Sequence, residues 1–211
     1  LVGCKGHGNE NGSSGSGGLL RSADAGQTWT PVFTASGVRD ILFDPRDGTT
    51  VYASIRSKGI YKSTDAGQTW TRLEKGLLIN GAATYSRLAM AAGDASVLYA
   101  LIGASGGTTL QLHRSGDAGA SWADVNNNAC EGQCWYNLTL DVHPTDPDSL
   151  LVGTIRPAMS TDGGATLTLL TADCGLGRAT ERASGYPPRP LLAQRWQPVL
   201  DRPRWRPLAQ R

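Results

Sequence analysis

Four copies of one octapeptide constrain this chain more than any other feature. They are Ser22 to Trp29 (SADAGQTW), Ser63 to Trp70 (STDAGQTW), Ser115 to Trp122 (SGDAGASW) and Ser160 to Leu167 (STDGGATL). Their aspartates stand 41, 52 and 45 residues apart, the spacing of chains built from stacked supersecondary units. Each octapeptide has the chemistry of a tight turn. The Ser and Asp side chains (Ser22 and Asp24, Ser63 and Asp65, Ser115 and Asp117, Ser160 and Asp162) can take up turn amides that have no strand partner. Gly26, Gly67, Gly119 and Gly164 suit a backbone with positive φ. Thr28, Thr69, Ser121 and Thr166 lead back into a strand, and Trp29, Trp70 and Trp122 offer a large apolar surface to pin the turn on its sheet. Leu167 replaces that tryptophan in the fourth copy, so the fourth turn is expected to be less firmly anchored.

The segments between the turns repeat too. Val38 to Pro45 reads as a strand, Arg46-Asp47-Gly48 as a hairpin turn, and Thr50 to Ile55, Gly59 to Ser63 and Trp70 to Leu73 as three more strands. The same order recurs in Tyr85 to Ala92, Val97 to Gly103, Thr109 to Ser115 and Trp122 to Val125. It returns in Tyr136 to Pro144, Ser149 to Thr154, Ala158 to Thr161 and Leu167 to Thr171. Four short antiparallel strands per unit predict an all-β chain of β-propeller blades, with repeats near 18–33, 38–73, 85–125 and 136–171. That makes about three complete blades and a partial one, to which Leu1 to Gly6 would add a remnant inner strand. No helical periodicity competes.

The octapeptides resemble the Asp-box (BNR) repeats of sialidases, sortilin-type receptors and xyloglucan-degrading endoglucanases. The similarity covers residues 18–171. Phe43 to Ser54 (FDPRDGTTVYAS) and Val142 to Thr154 (VHPTDPDSLLVGT) are closer to the endoglucanase and sortilin-like branch than to sialidases. The resemblance implies that each octapeptide joins the two outer strands of a blade, on one face of the propeller, and serves structure rather than catalysis. It places ligands on the opposite face, near a central channel, and it implies a secreted parent that binds or processes glycans. A recognition or assembly propeller without glycan activity is the alternative.

Composition divides the chain. Residues 1–174 hold 12 Lys and Arg against 16 Asp and Glu, whereas residues 175–211 hold 8 Arg, 6 of the 11 Pro, and only Glu181 and Asp201 as acids. We therefore place a propeller segment at 1–174 and an Arg/Pro-rich tail at 175–211. The tail is expected to be a disordered linker or a stretch read out of frame. With suitable synonymous codons, a +1 shift of it spells an HP-type strand end and a Gly-Leu-Trp-Arg-Ser strand like Gly18 to Ser22. A nucleic-acid role for Trp196, Trp205 and the arginines ranks below both. No apolar run approaches the roughly 20 residues of a membrane span. The chain starts at Leu1 with neither Met nor a leader, so further blades and a signal peptide are expected to lie outside it.

On the face opposite the octapeptides the candidates are Arg56, Ser57 and Lys58, the loop 103–107, and Arg156. The pairs Ile55-Arg56 and Ile155-Arg156 recur at matching blade positions, and planar guanidinium groups can grip carboxylates or sugar hydroxyls. Trp135 and Tyr136 could stack on a sugar ring. Glycoside hydrolysis ordinarily needs two carboxylates flanking one bond. The run Ala53-Ser54-Ile55-Arg56 carries none where the endoglucanases have a catalytic Asp, and the arginine motif of sialidases is absent. The glutamates of the body are Glu10, Glu74 and Glu131. The catalytic residues are therefore unknown, and the chain alone is expected to be inactive.

His7, His113 and His143 lack metal-ligand spacing, so neither metal nor cofactor is expected. Asp141 and His143, two apart on one strand, would share a face, with no nucleophile evident beside them. Cys130 and Cys134 could close a small disulfide loop, though with Cys4 and Cys174 three pairings are open. Gly6 to Gly18 reads as a flexible loop, and Asn11 and Asn137 head glycosylation sequons. The expected partners are poly- or oligosaccharides and the remaining blades, not nucleic acid or membrane.

Overall fold

A computed structural model describes residues 2–4, 17–34, 37–77, 83–104, 110–127, 129, 138–154 and 156–170. The chain divides into two units, Leu1–Leu170 and Thr171–Arg211, and every described residue lies in the first. The expectation for residues 175–211 therefore falls outside the described residues, as do those for His7, Cys130, Cys134, Trp135, Tyr136 and Cys174.

No helix occurs among the described residues. Fifteen strands form four antiparallel sheets, each a simple meander. The first holds β1 (Val2–Cys4), β2 (Gly18–Arg21) and β3 (Thr30–Thr34). The second holds β4 (Val38–Phe43), β5 (Val51–Ile55), β6 (Gly59–Ser63) and β7 (Thr71–Leu73). The third holds β8 (Ala83–Ala91), β9 (Asp94–Ala104), β10 (Leu110–Ser115) and β11 (Ala123–Asn126). The fourth holds β12 (Thr139–Val142), β13 (Leu150–Gly153), β14 (Pro157–Ser160) and β15 (Thr168–Leu169). Three four-stranded blades and one three-stranded sheet agree with the sequence reading, and Val2–Cys4 pairs with β2 as an inner strand would.

The octapeptides form the turns β2–β3, β6–β7, β10–β11 and β14–β15, and all four share one polar network. The Ser hydroxyl donates to the Asp carboxylate at 2.7–2.8 Å and accepts the Gly amide at 2.7–2.9 Å. The carboxylate also accepts the amide of Thr28, Thr69, Ser121 or Thr166 at 2.8–2.9 Å, and the hydroxyl of that same residue. Turn amides that would otherwise go unpaired are thus taken up within eight residues. The indole N–H of Trp29, Trp70 and Trp122 donates to the turn glycine's carbonyl at 3.1 Å. Leu167 lacks that bond, but the remaining network of the fourth turn is intact and Leu167 packs, partly buried, on the core. The turn glycines have φ between 85° and 94°. The residue before each is left-handed as well: Ala25, Ala66 and Ala118 have φ of 55–59°, a conformation that alanine adopts at a cost.

These networks hold the aspartates ionised. Bonds from Thr28 hold the Asp24 carboxyl at about 2. Ser121 does the same for Asp117 and Thr166 for Asp162, and bonds led by the Thr69 hydroxyl push Asp65 lower still. A carboxyl whose pKa is depressed on folding stabilises the fold above its unfolded value, near 3.8, and loses that contribution as pH falls through the folded value. The denaturation midpoint is therefore expected to hold steady above pH ~4 and to decline as pH falls toward ~2. Asp117→Asn should flatten that decline. A profile unchanged by this substitution would contradict the assignment.

Each core cluster lies between successive sheets. Leu19 and Phe33 meet Ala53, Ile55 and Trp70; Tyr52 and Ile60 meet Leu88, Leu98 and Trp122; and Leu101, Leu110 and Leu112 meet Val142, Leu150 and Val152. The sheets are stacked face to face, and burial between them, at roughly 25 cal/mol per Å² of apolar surface, binds one to the next. The first strands also converge: β1 lies beside β4, β4 beside β8 and β8 beside β12. Neighbouring sheets approach closely at the octapeptide glycines. A β-carbon at Gly119 would come within 2.9 Å of Leu73 and 3.3 Å of Tyr52, and one at Gly164 within 2.6 Å of Leu112.

Candidate functional site

The two ends of the stacked sheets differ in chemistry. At one end the second, third and fourth octapeptides are each tied to the first turn of their own sheet. Ala66 N donates to Thr49 O at 2.8 Å, Ala118 N to Ser96 O at 2.9 Å and Gly163 N to Asp148 O at 2.9 Å. The first turns are themselves closed by aspartates: Asp47 accepts from Thr49 and Thr50, and Asp146 from Ser149. A cleft of about 420 Å³ opens between the third and fourth sheets, lined by Arg114, Val125, Asp148, Asp162, Gly163 and Ala165. Its cation is already matched, since Arg114 Nη2 lies 3.0 Å from Asp148 Oδ1 and Arg114 Nε donates to Tyr99 Oη.

At the other end the first strands begin beside the β5–β6 and β13–β14 turns. Arg56, Ser57 and Lys58 are exposed in the β5–β6 turn, which Lys58 N closes on Ile55 O at 3.1 Å. Arg56 N donates to Gly37 O at 2.9 Å, seating this turn against the start of β4. A β-carbon at Gly37, which has φ +82°, would come within 2.8 Å of the Arg56 β-carbon. Arg156 is exposed at the equivalent β13–β14 turn, where its carbonyl accepts from Thr154 Oγ1. Arg56 and Arg156 thus belong to sheets separated by a third, whose 105–109 turn lies outside the described residues.

What gathers around Arg56 is a set of side chains from the first strands that sequence reading missed. The β4–β5 register shifts between Val38 and Asp40, leaving Arg39 with no residue opposite, a device that re-aims a side chain. The Arg39 guanidinium lies 4.4 Å from the centre of the Tyr85 ring of β8, and its Nε is buried with no hydrogen-bond partner. Burial lowers its pKa from the ordinary arginine value; Tyr85 opposes that, while the charges of Arg56 and Arg87 add to it. Arg87, on β8, spans three sheets: its Nε donates to Leu138 O at 3.0 Å and its Nη1 to Arg39 O at 3.0 Å. Asp40 stitches β4 to β8, accepting the Leu88 amide at 2.9 Å. Burial pushes its carboxyl above the usual range, against the Leu88 bond and the Arg87 charge. The result is three clustered arginines beside an aromatic ring, with one mostly buried carboxylate committed to a backbone amide.

Asp141 and His143 differ in burial. β12 ends at Val142, so alternation stops there, and Asp141 is exposed whereas His143 is buried. His143 N donates to Ser149 O at 2.8 Å, the place Asp44 fills in the second sheet. His113 is fully buried, and burial lowers its pKa, so it is held neutral. No group of three or more His, Cys, Asp or Glu among the described residues could hold a metal ion.

Four-stranded meanders stacked through their faces, with first strands converging, define a β-propeller. The family model of Sortilin-Vps10 (Sortilin, neurotensin receptor 3) matches residues 17–152, and the chain belongs to that family. No curated protein matches the sequence. Among solved structures, the GH74 enzyme of Niastella koreensis is similar with a TM-score of 0.55 at 22% identity, over 74% of this chain and 26% of that one. YCF48 from Cyanidioschyzon merolae gives a TM-score of 0.49 at 16% identity, over 66% of this chain and 41% of that one. The GH74 xyloglucanase from Xanthomonas campestris gives 0.43 at 16%, over 81% and 36%. The first of these likenesses supports the propeller fold. The chain spans about a quarter of that enzyme's length.

Proposed function

We propose that this chain is part of a secreted propeller that binds glycans at the end where its first strands begin, and that it performs no chemistry of its own. The observation that carries this reading is the cluster of Arg39, Arg56 and Arg87 beside Tyr85. Guanidinium groups present planar, paired donors to carboxylates and sugar hydroxyls, and an aromatic ring offers the apolar face that a sugar ring packs on. The Arg39 Nε is buried without a hydrogen-bond partner, and three arginines against the single carboxylate of Asp40 favour an acidic sugar over a neutral one. Hydrolysis would need a second carboxylate across the bond, and Asp40 is committed to the Leu88 amide.

Calorimetric titration of the purified chain with uronic-acid and neutral oligosaccharides is the test. Acidic oligosaccharides should bind, Arg39→Ala should weaken them at least tenfold, and no reducing ends should be released. Absence of binding to every glycan would overturn the reading in favour of a structural or assembly propeller. Sustained hydrolysis would overturn the claim that the chain only binds.

A further inference from the structure

Successive sheets are joined by a recurring bond that one joint does not make. Arg21, Lys62 and Arg114 each stand just before an octapeptide. Arg21 Nε donates to the carbonyl of Ala66 at 3.1 Å and Lys62 Nζ to that of Ala118 at 3.0 Å. Tyr52 Oη donates to Ala118 O as well, at 2.9 Å. Both carbonyls belong to the fourth residue of an octapeptide in the following sheet. At the joint between the third and fourth sheets that residue is Gly163, and neither counterpart serves it. Arg114 gives its Nη2 to Asp148 and its Nε to Tyr99 Oη, while Tyr99 Oη donates to Pro147 O. The cause is legible in sequence. Asp148 stands where the second and third sheets have Thr49 and Ser96, the residues whose carbonyls take the octapeptide amide. A carboxylate at that place outcompetes a neutral carbonyl for the guanidinium.

Gly163 is docked as its counterparts are. Its amide donates to Asp148 O at 2.9 Å, as Ala118 N does to Ser96 O, and its φ of 72° is left-handed like the 55° of Ala118. Its carbonyl is thereby turned toward the third sheet, as that of Ala118 is toward the second. Gly163 is buried, and no donor among the described residues bonds its oxygen. A buried carbonyl left in that state costs free energy. The cleft of about 420 Å³ opens at this place. Val125 and Ala165 give it a short apolar wall, and Asp148 and Asp162 give it carboxylates, the second held ionised at about 2 by bonds from Thr166. Asp94 and Asp146 act electrostatically on Arg114 and Tyr99, so four carboxylates surround one guanidinium.

We propose that the cleft between the third and fourth sheets binds a primary alkylammonium group, which donates to the Gly163 carbonyl from among these carboxylates. The molecule supplies the precedent for the ligand, since the Lys62 ammonium bonds the equivalent carbonyl one joint earlier. The excess of acid selects a cation, the carbonyl selects a hydrogen-bond donor, and Val125 and Ala165 leave room for a methylene stem beside the charge. A lysine side chain and a free alkylamine share this chemistry. This inference stands apart from the glycan reading, whose residues lie at the opposite end of the sheets.

Amide-detected NMR titration of the full chain at low salt tests it, with butylamine, its neutral counterpart butanol, and N-acetyl-lysine-methylamide as probes. Both amines should shift the signals of Gly163 and Arg114 in the millimolar range, and butanol should bind at least tenfold more weakly. Tighter binding of the lysine amide than of butylamine assigns the site to a lysine side chain, and the reverse order to a free amine. Asp148→Asn, a change at an exposed side chain, should weaken both amines at least tenfold by removing one carboxylate and the counter-charge of Arg114. Arg114→Lys should do the same by a different route, because it places the chain's own ammonium where Lys62 has one. Absence of any shift at Gly163 with either amine would overturn the proposal. Equal binding of butanol and butylamine would do so too, by reducing the cleft to an apolar crevice. Undiminished amine binding in Asp148→Asn would show that the carboxylates and the carbonyl do not form one site.

Discussion

Trp122→Ala is expected to destabilise the chain by about 3–5 kcal/mol, the range for truncating a buried aromatic side chain. Trp122 lies between the second and third sheets among Tyr52, Ile60, Leu77, Leu88 and Leu98, and its N–H bond to Gly119 O would go with it. Alanine would leave a cavity at the joint between two sheets, where close packing extends to the Gly119 α-carbon. The same change made in the other copies should cost less: Trp70 is half-buried, and Trp29 is exposed. Urea denaturation of the three variants should rank them Trp122, Trp70, Trp29. Equal losses would show that the tryptophans act within their own turns and not through the neighbouring sheet.

Arg87→Met should cost about 2–4 kcal/mol, since hydrogen bonds made by a charged donor contribute roughly 1.5–3 kcal/mol each. Methionine keeps much of the apolar stem but returns the carbonyls of Arg39 and Leu138 without their donor. The three sheets that converge there would lose their shared link. Arg87→Lys should recover only part of the loss, because one ammonium cannot reproduce the planar fork that serves both carbonyls. The check is the denaturant midpoint of the two variants, with the slope unchanged. A lysine variant as stable as wild type would reduce Arg87 to a simple charge.

The blades were legible because the octapeptide demands its residues locally. Asp, Ser, Gly and Thr each serve an amide or a φ angle within eight positions, so no distant contact is needed to read the turn. The left-handed Ala25, Ala66 and Ala118 were not legible, since alanine carries no mark of that conformation. Arg39 and Arg87 escaped notice because an arginine inside an alternating strand reads as a residue facing water. Only the stacking of sheets turns it into a bridge or a buried donor, and only the register shift at Arg39 aims it toward Tyr85. Arg56 was found from its turn, but its partners lie on first strands 17 and 31 positions away in sequence. The unequal burial of three identical tryptophans likewise depends on which sheet precedes each one.

Under the proposed function, the octapeptide end of the molecule builds and the opposite end binds. One comparison tests that division most directly: oligosaccharide affinity of Arg39→Ala against that of Asp117→Asn, with the thermal midpoint of each. Arg39→Ala is predicted to lose affinity at least tenfold while keeping most of its stability. Asp117→Asn is predicted to lower the midpoint and leave affinity within twofold of wild type. If the aspartate variant loses binding and the arginine variant keeps it, the binding end has been assigned to the wrong face.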